Sequence, residues 1–204
     1  MVEDCVFVNC SGGVGSYWAG CTDITVRQCE FIDGVVGVEF VSGASGAMRN
    51  CTLQGQVNYG FAASGPGSVV VEDNVIDLTS TSGWCVALAS ASHELRNNVI
   101  SGSRVLVGLF CMSCDLDIRD NTFLRTGPEA WYIRPSQNPY TGPLVHRDFT
   151  HNSWGTDDPD EVAAWIYDHE DDPDQHFIVD YLPMNGTVAT EARSWSSVKG
   201  LFDE

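Results

Sequence analysis

In 204 residues the chain sets 28 Asp and Glu against 10 Lys and Arg, a formal charge of −18. Such a balance opposes contact with phosphate backbones and anionic lipid, so nonspecific nucleic-acid binding and membrane-surface attachment are excluded as default roles. Apolar residues reach 43%, enough for the core of one domain, and no signal peptide or membrane-spanning run is visible.

From the N-terminus onward one triplet returns. A small polar residue stands two positions before a large apolar one, at Cys5/Phe7, Cys29/Phe31, Cys51/Leu53, Asn74/Ile76, Asn98/Ile100, Asn121/Phe123 and Asn152/Trp154. The first members are 24, 22, 23, 24, 23 and 31 residues apart, and three positions before each lies Val2, Val26, Met48, Val71, Leu95, Ile118 or Phe149. A period in the low twenties is the mark of a solenoid. Leucine is too sparse for leucine-rich repeats. Each unit instead holds short β-type runs, such as Ile24-Thr25-Val26 and Val69-Val70-Val71, and then a second run at Val35–Phe40, Val57–Ala62, Trp84–Leu88, Val105–Phe110 or Trp131–Ile133. Turns such as Ser64-Gly65-Pro66-Gly67 separate them. With no room for a helix, each unit is one β coil.

Stacked coils repeat about every 4.8 Å, so one position recurs as a column. Inward Asn residues then bond the Asn above and below, and buried Cys fits the same column. Glu3, Arg27, Arg49, Glu72, Arg96 and Arg119, two positions earlier, read as a solvated face. Of the eight cysteines, Cys5, Cys29 and Cys51 read as ladder members. Adjacent rungs also lie within disulfide reach, and Cys10 and Cys21, which flank one turn region, are a second candidate pair. Cys111-Met112-Ser113-Cys114 has CxxC spacing but lacks the βαβ context or second ligand pair of a redox or zinc site.

This pattern resembles the right-handed parallel β-helix repeat proteins of the pectate-lyase-like superfamily, over roughly residues 2–154. The resemblance implies an all-β solenoid of about seven coils with a short C-terminal helix and tail, divided as 1–154 and 155–204. It also implies a secreted or cell-surface bacterial protein and carbohydrate as the ligand class. It does not fix an activity, because the fold hosts lyases, hydrolases, epimerases, adhesins and tailspikes. No capping helix precedes Val2, so upstream coils, or self-association through an open N-terminal end, are expected to cover the first strand edges.

Past the last coil, Gly155 to Asp180 holds ten acidic residues and no Lys or Arg. Thr156 or Asp157 is placed to cap a helix that carries Pro159 in its first turn and Val162, Ala163, Trp165 and Ile166 on one face. This helix is expected to close the bore, ahead of an exit segment at Ile178–Pro183. The acids Asp157, Asp158, Asp160, Asp168, Glu170, Asp171, Asp172 and Asp174 make calcium the one cation to consider, but EF-hand spacing is absent and capping explains them more simply. No cofactor is otherwise implied.

The long sixth interval carries an excursion from Arg125 to Pro143. Trp131, Tyr132, Arg134 and Tyr140 are its candidate glycan-binding residues, since aromatic faces cover sugar rings and arginine grips carboxylates. For paired-carboxylate catalysis, Asp33 and Asp77 lie two coils apart and one residue out of register. A lyase base falls to Arg104 or Arg134, because no lysine lies in the coils. The five histidines, His93, His146, His151, His169 and His176, show no nucleophile–base arrangement. Two readings therefore stand: a non-catalytic scaffold or glycan-binding segment, and a polysaccharide lyase or glycoside hydrolase.

Overall fold

The computed structural model describes residues 1–16, 21–89, 92–110, 115–135 and 142–186. Every strand pairs in parallel with the strand one repeat later, so the chain winds as a parallel β-helix with three sheets of six strands each among the described residues. Sheet A holds Val2–Glu3, Ile24–Arg27, Gly46–Arg49, Val69–Glu72, His93–Arg96 and Leu116–Arg119. Sheet B holds Val6–Val8, Glu30–Ile32, Thr52–Gln54, Val75–Leu78, Val99–Gly102 and Thr122–Arg125. Sheet C holds Gly12–Ser16, Val36–Phe40, Tyr59–Ser64, Trp84–Ala89, Val105–Leu109 and Trp131–Pro135.

The expected seven coils resolve into six complete ones and a seventh made of single contacts. Ser153 bridges Thr122 at the end of sheet B, and Ile166 bridges Ile133 at the end of sheet C. The segment 145–148 also packs beside the last strand of sheet A. It turns away to pair in parallel with Phe177–Asp180, the exit segment.

A tight bend joins sheets A and B in every coil. It is made by one residue in the left-handed region: Asp4, Gln28, Asn50, Asp73, Asn97, Asp120 and His151 all have φ between 51° and 60°. Five of these seven are Asn or Asp, the side chains that best tolerate that conformation. The next residue then turns inward. Asn98 illustrates the ladder: its Oδ1 accepts the N–H of Asn74 at 3.0 Å, and its Nδ2 donates to Asn121 Oδ1 at 2.9 Å and to the Val71 carbonyl at 2.9 Å. The N–H of Asn121 reaches Asn152 in the same way at 2.9 Å. Asn74, Asn98, Asn121 and Asn152 are at most 1% exposed, so the predicted inward column is continuous.

Around the ladder the bore is filled by in-register apolar columns. Phe31, Leu53, Ile76, Ile100 and Phe123 form one, and Val38, Phe61, Val86, Val107 and Ile133 another. Trp154 ends the first column, buried against Phe123 with ring centroids 4.9 Å apart. The expected helix is short, Pro159–Ala163, and its cap is Asp158 rather than Thr156 or Asp157. The Asp158 carboxylate accepts the N–H of Asp160 at 3.0 Å, while Thr156 Oγ1 serves one step earlier and accepts the N–H of Asp158. Val162 and Ile166 from this segment are buried in the core. No described helix is long and apolar enough to cross a membrane.

Candidate functional site

Alternation along a strand sends every second side chain out, and sheet C presents the most distinctive outer surface. Just after its first residue each strand bends, so the paired register skips one position. The residue before the bend faces out, giving the column Val36, Tyr59, Trp84, Val105 and Trp131, in which Val105 is covered and only 1% exposed. A second outward column runs beside it: Glu39, Ala62, Ala87, Gly108 and Arg134. Large flat rings therefore stand next to small residues, and the Trp84 ring lies down. The Trp84 indole rests on Gly108, where a Cβ would collide with the ring. Phe110 packs beside Trp84 with centroids 5.0 Å apart and stays 37% exposed.

The platform continues past the last complete coil. Ile166 pairs with Ile133, which brings its two neighbours, Trp165 and Tyr167, onto Trp131. Both meet the Trp131 ring edge-on at 5.6 Å. Arg134 lies 5.8 Å from the Trp131 centroid and 5.9 Å from that of Tyr167, and Arg104 lies 5.9 Å from that of Trp84. Underneath, Arg125 stacks on Trp165 at 3.7 Å and donates from Nε to the Ala130 carbonyl at 2.5 Å. Burial lowers the Arg125 pKa from its ordinary value, against the pull of Tyr132 and Glu161.

Of the four sequence candidates, Trp131 and Arg134 stand together on this face. Tyr132 requires a correction. It occupies the bend position that turns inward, is 3% exposed, packs on Trp154 at 5.1 Å, and donates its phenol to the Trp154 carbonyl. Burial raises its pKa. It supports the platform from inside the bore and has no surface to offer a ligand. Tyr140 lies outside the described residues, as do Cys111 and Cys114. Sequence reasoning missed Tyr59, Trp84, Phe110, Trp165 and Tyr167. The signal for the first two was present, because they share the repeat register of Trp131.

The other sequence candidates are dispersed. Asp77 stacks over Gln54 and Ile32, so it is out of register with Asp33, and its Oδ1 accepts the N–H of Thr79 at 3.0 Å. His146 pairs with Asp180 at 3.1 Å, His169 Nδ1 meets the Gln175 carbonyl at 2.8 Å, and His93 is 2% exposed at an inward position of sheet A. In the acid-rich segment Asp168 is 5% exposed and accepts the N–H groups of Val179 and Glu170, both at 2.9 Å. Asp172 accepts that of Asp174 at 3.0 Å. These carboxylates bind their own backbone. Among the described residues no three His, Cys, Asp or Glu converge as a metal site of three or more ligands. The charged column on sheet A is a half-exposed ion-pair stripe: Arg27 meets Glu3 at 2.5 Å, Arg49 meets Glu72 at 3.0 Å, and Arg96 and Arg119 share Asp117.

The family described as right handed beta helix region matches residues 1–123. The chain belongs to this family. No match was found among curated proteins or among solved structures. The matched span of this β-helix covers the first five coils and the start of the sixth, so the aromatic end of the platform, at Trp131, Trp165 and Tyr167, lies beyond it.

Proposed function

We propose that this β-helix is a non-catalytic glycan-binding scaffold of the cell exterior, and that the outward face of sheet C holds the saccharide. The observation that carries this reading is the line of Tyr59, Trp84 and Trp131 along the solenoid axis, extended by Tyr167 and flanked by Arg104 and Arg134. Rings that lie flat on a rigid sheet offer apolar area to the C–H faces of sugars and lose little freedom on binding. The charged members of the second outward column, Glu39 and Arg134, stand four rungs apart, about 19 Å at the usual strand spacing. A hydrolase needs two carboxylates within about 10 Å, which weighs against catalysis on this face.

The test is retention on a panel of immobilised neutral and acidic polysaccharides, with Trp84→Ala and Trp131→Ala as variants and circular dichroism as the folding control. Each substitution is expected to weaken binding about tenfold, the equivalent of about 1.4 kcal/mol. Unchanged retention in both folded variants, or no retention of any glycan by the parent, defeats the reading.

A further inference from the structure

The ladder changes chemistry along its length, and the first three rungs place thiols where later rungs place amides. Cys5, Cys29 and Cys51 each turn inward after a left-handed residue and each donates to the carbonyl two residues back: Glu3 at 3.1 Å, Arg27 at 3.1 Å and Arg49 at 3.3 Å. The shared bond to the carbonyl two residues back means that successive sulfurs follow the rung translation, although Cys51 also reaches the Val26 carbonyl at 3.7 Å. The same translation separates the rings two residues away, where Phe7 and Phe31 stack at 4.8 Å and 2°. All three cysteines are free thiols.

A spacing near 4.8 Å lies within the Cα range of a disulfide, but the bond would need the Cβ atoms to close to about 3.8 Å and the rungs to pinch together. The spacing suits a linear sulfur–metal–sulfur unit. A zinc–thiolate bond is about 2.3 Å, and two bonds of about that length in line span about 4.6 Å. We infer that Cys5 and Cys29 form a two-coordinate site for a soft monovalent ion of the copper(I) class, bridging two rungs of the β-helix. Thiolates select such ions over hard cations. The chemistry balances without an oxidant: two S–H bonds break, two S–metal bonds form, two protons leave to solvent, and the metal keeps its charge. The backbone assists. Burial raises the Cys29 thiol and pushes that of Cys51 up to about 12, and backbone hydrogen bonds from Cys5 to the Cys29 sulfur and from Cys29 to the Cys51 sulfur offset part of this, in the position where Asn74 Oδ1 accepts the N–H of Cys51. Cys5 is half-buried and Cys29 is 1% exposed. Hard ions gain nothing here, since no carboxylate belongs to the column.

The experiment uses the full chain with Cys111→Ser and Cys114→Ser, which removes the CxxC pair. Reduced protein is titrated anaerobically with copper(I), and with silver(I) as a redox-inert probe. The readouts are near-ultraviolet thiolate-to-metal absorption, protons released and metal retained after gel filtration. One equivalent with two protons released is expected. Cys29→Asn, which installs the residue that other rungs carry and so keeps the ladder, loses that equivalent, and so does Cys5→Asn. Cys10→Ser and Cys85→Ser retain it. The inference is overturned if the parent retains no metal, if Cys29→Asn binds as the parent does, or if removing reductant alone yields a Cys5–Cys29 disulfide.

Discussion

Single residues carry much of the stability of this solenoid because each ladder amide serves three rungs. Asn98 accepts from Asn74 and donates to Asn121 and to the carbonyls of Val71 and Arg96, all inside the bore. Asn98→Leu leaves the buried N–H of Asn74 and the carbonyl of Val71 without these partners. At about 1–3 kcal/mol for each such group, a loss of about 3 kcal/mol is expected, read as a lower urea midpoint at constant slope. The thiols act in the opposite sense at high pH. Burial pushes Cys51 up to about 12 from the ordinary 9.0, and it raises Cys29 as well. An acid whose folded pKa lies above its unfolded one adds stability that is whole below pH 9 and is lost as pH climbs toward 12. The melting temperature should therefore fall from pH 9 to 11, and Cys51→Asn should flatten that fall; an equal fall in the variant contradicts the assignment. The ladder itself was legible in the sequence, because a 22–24 residue spacing maps directly onto one rung. The inward turn of Tyr132 was not. It depends on a strand bend whose only trace is Gly13, Gly37 and Gly60 in the same register, followed by Cys85 and Leu106.

At the scale of elements, those glycines set how tightly sheets B and C close on the bore. A Cβ on Gly60 would stand 2.7 Å from the Cys85 carbonyl oxygen and 2.7 Å from Ile76 Cγ2, and one on Gly37 would stand 2.6 Å from Leu53 Cδ2. Further along the column the bore admits Cys85, Leu106 and Tyr132, all buried, so it widens toward the C-terminus. Gly60→Ala should cost about 2 kcal/mol through overpacking, read by chemical denaturation, whereas Cys85→Ala at the next rung creates a small void instead. A neutral Gly60→Ala would mean that the strands part freely at this bend. Strand positions followed from alternation and β-branched runs, which act locally. The helix was harder to place. Thr156 and Asp157 both offer caps, and the residue that wins, Asp158, is the one directly before Pro159 at the first helical position. The platform was half legible: Trp131 and Arg134 stood out in a long interval, but Trp165 and Tyr167 reach it only because the segment after the helix re-enters sheet C at Ile166.

At the scale of the whole molecule, charge and shape pull against each other. A charge of −18 spread along a narrow solenoid repels itself, while the arginines of sheet A form five close contacts with carboxylates along one stripe. Exposed pairs of this kind are worth about 0–1 kcal/mol each and weaken in salt. The repulsion is longer in range, and it too weakens as the screening length shrinks from about 30 Å at 10 mM to about 8 Å at 150 mM salt. Which loss dominates decides the sign of the salt effect. Acids outnumber bases, 28 Asp and Glu against 10 Lys and Arg, and Arg104 and Arg134 lie over aromatic rings on the far sheet. Repulsion therefore wins, and sodium chloride at 150 mM should raise the melting temperature by about 3 °C over 10 mM, near 1 kcal/mol for a chain of this size. Arg49→Gln and Arg96→Gln together remove two positive charges from an acidic molecule, so they should steepen that rise. A melting temperature that falls with salt in the parent protein would mean instead that the ion-pair stripe holds the coils together more strongly than the surplus charge drives them apart.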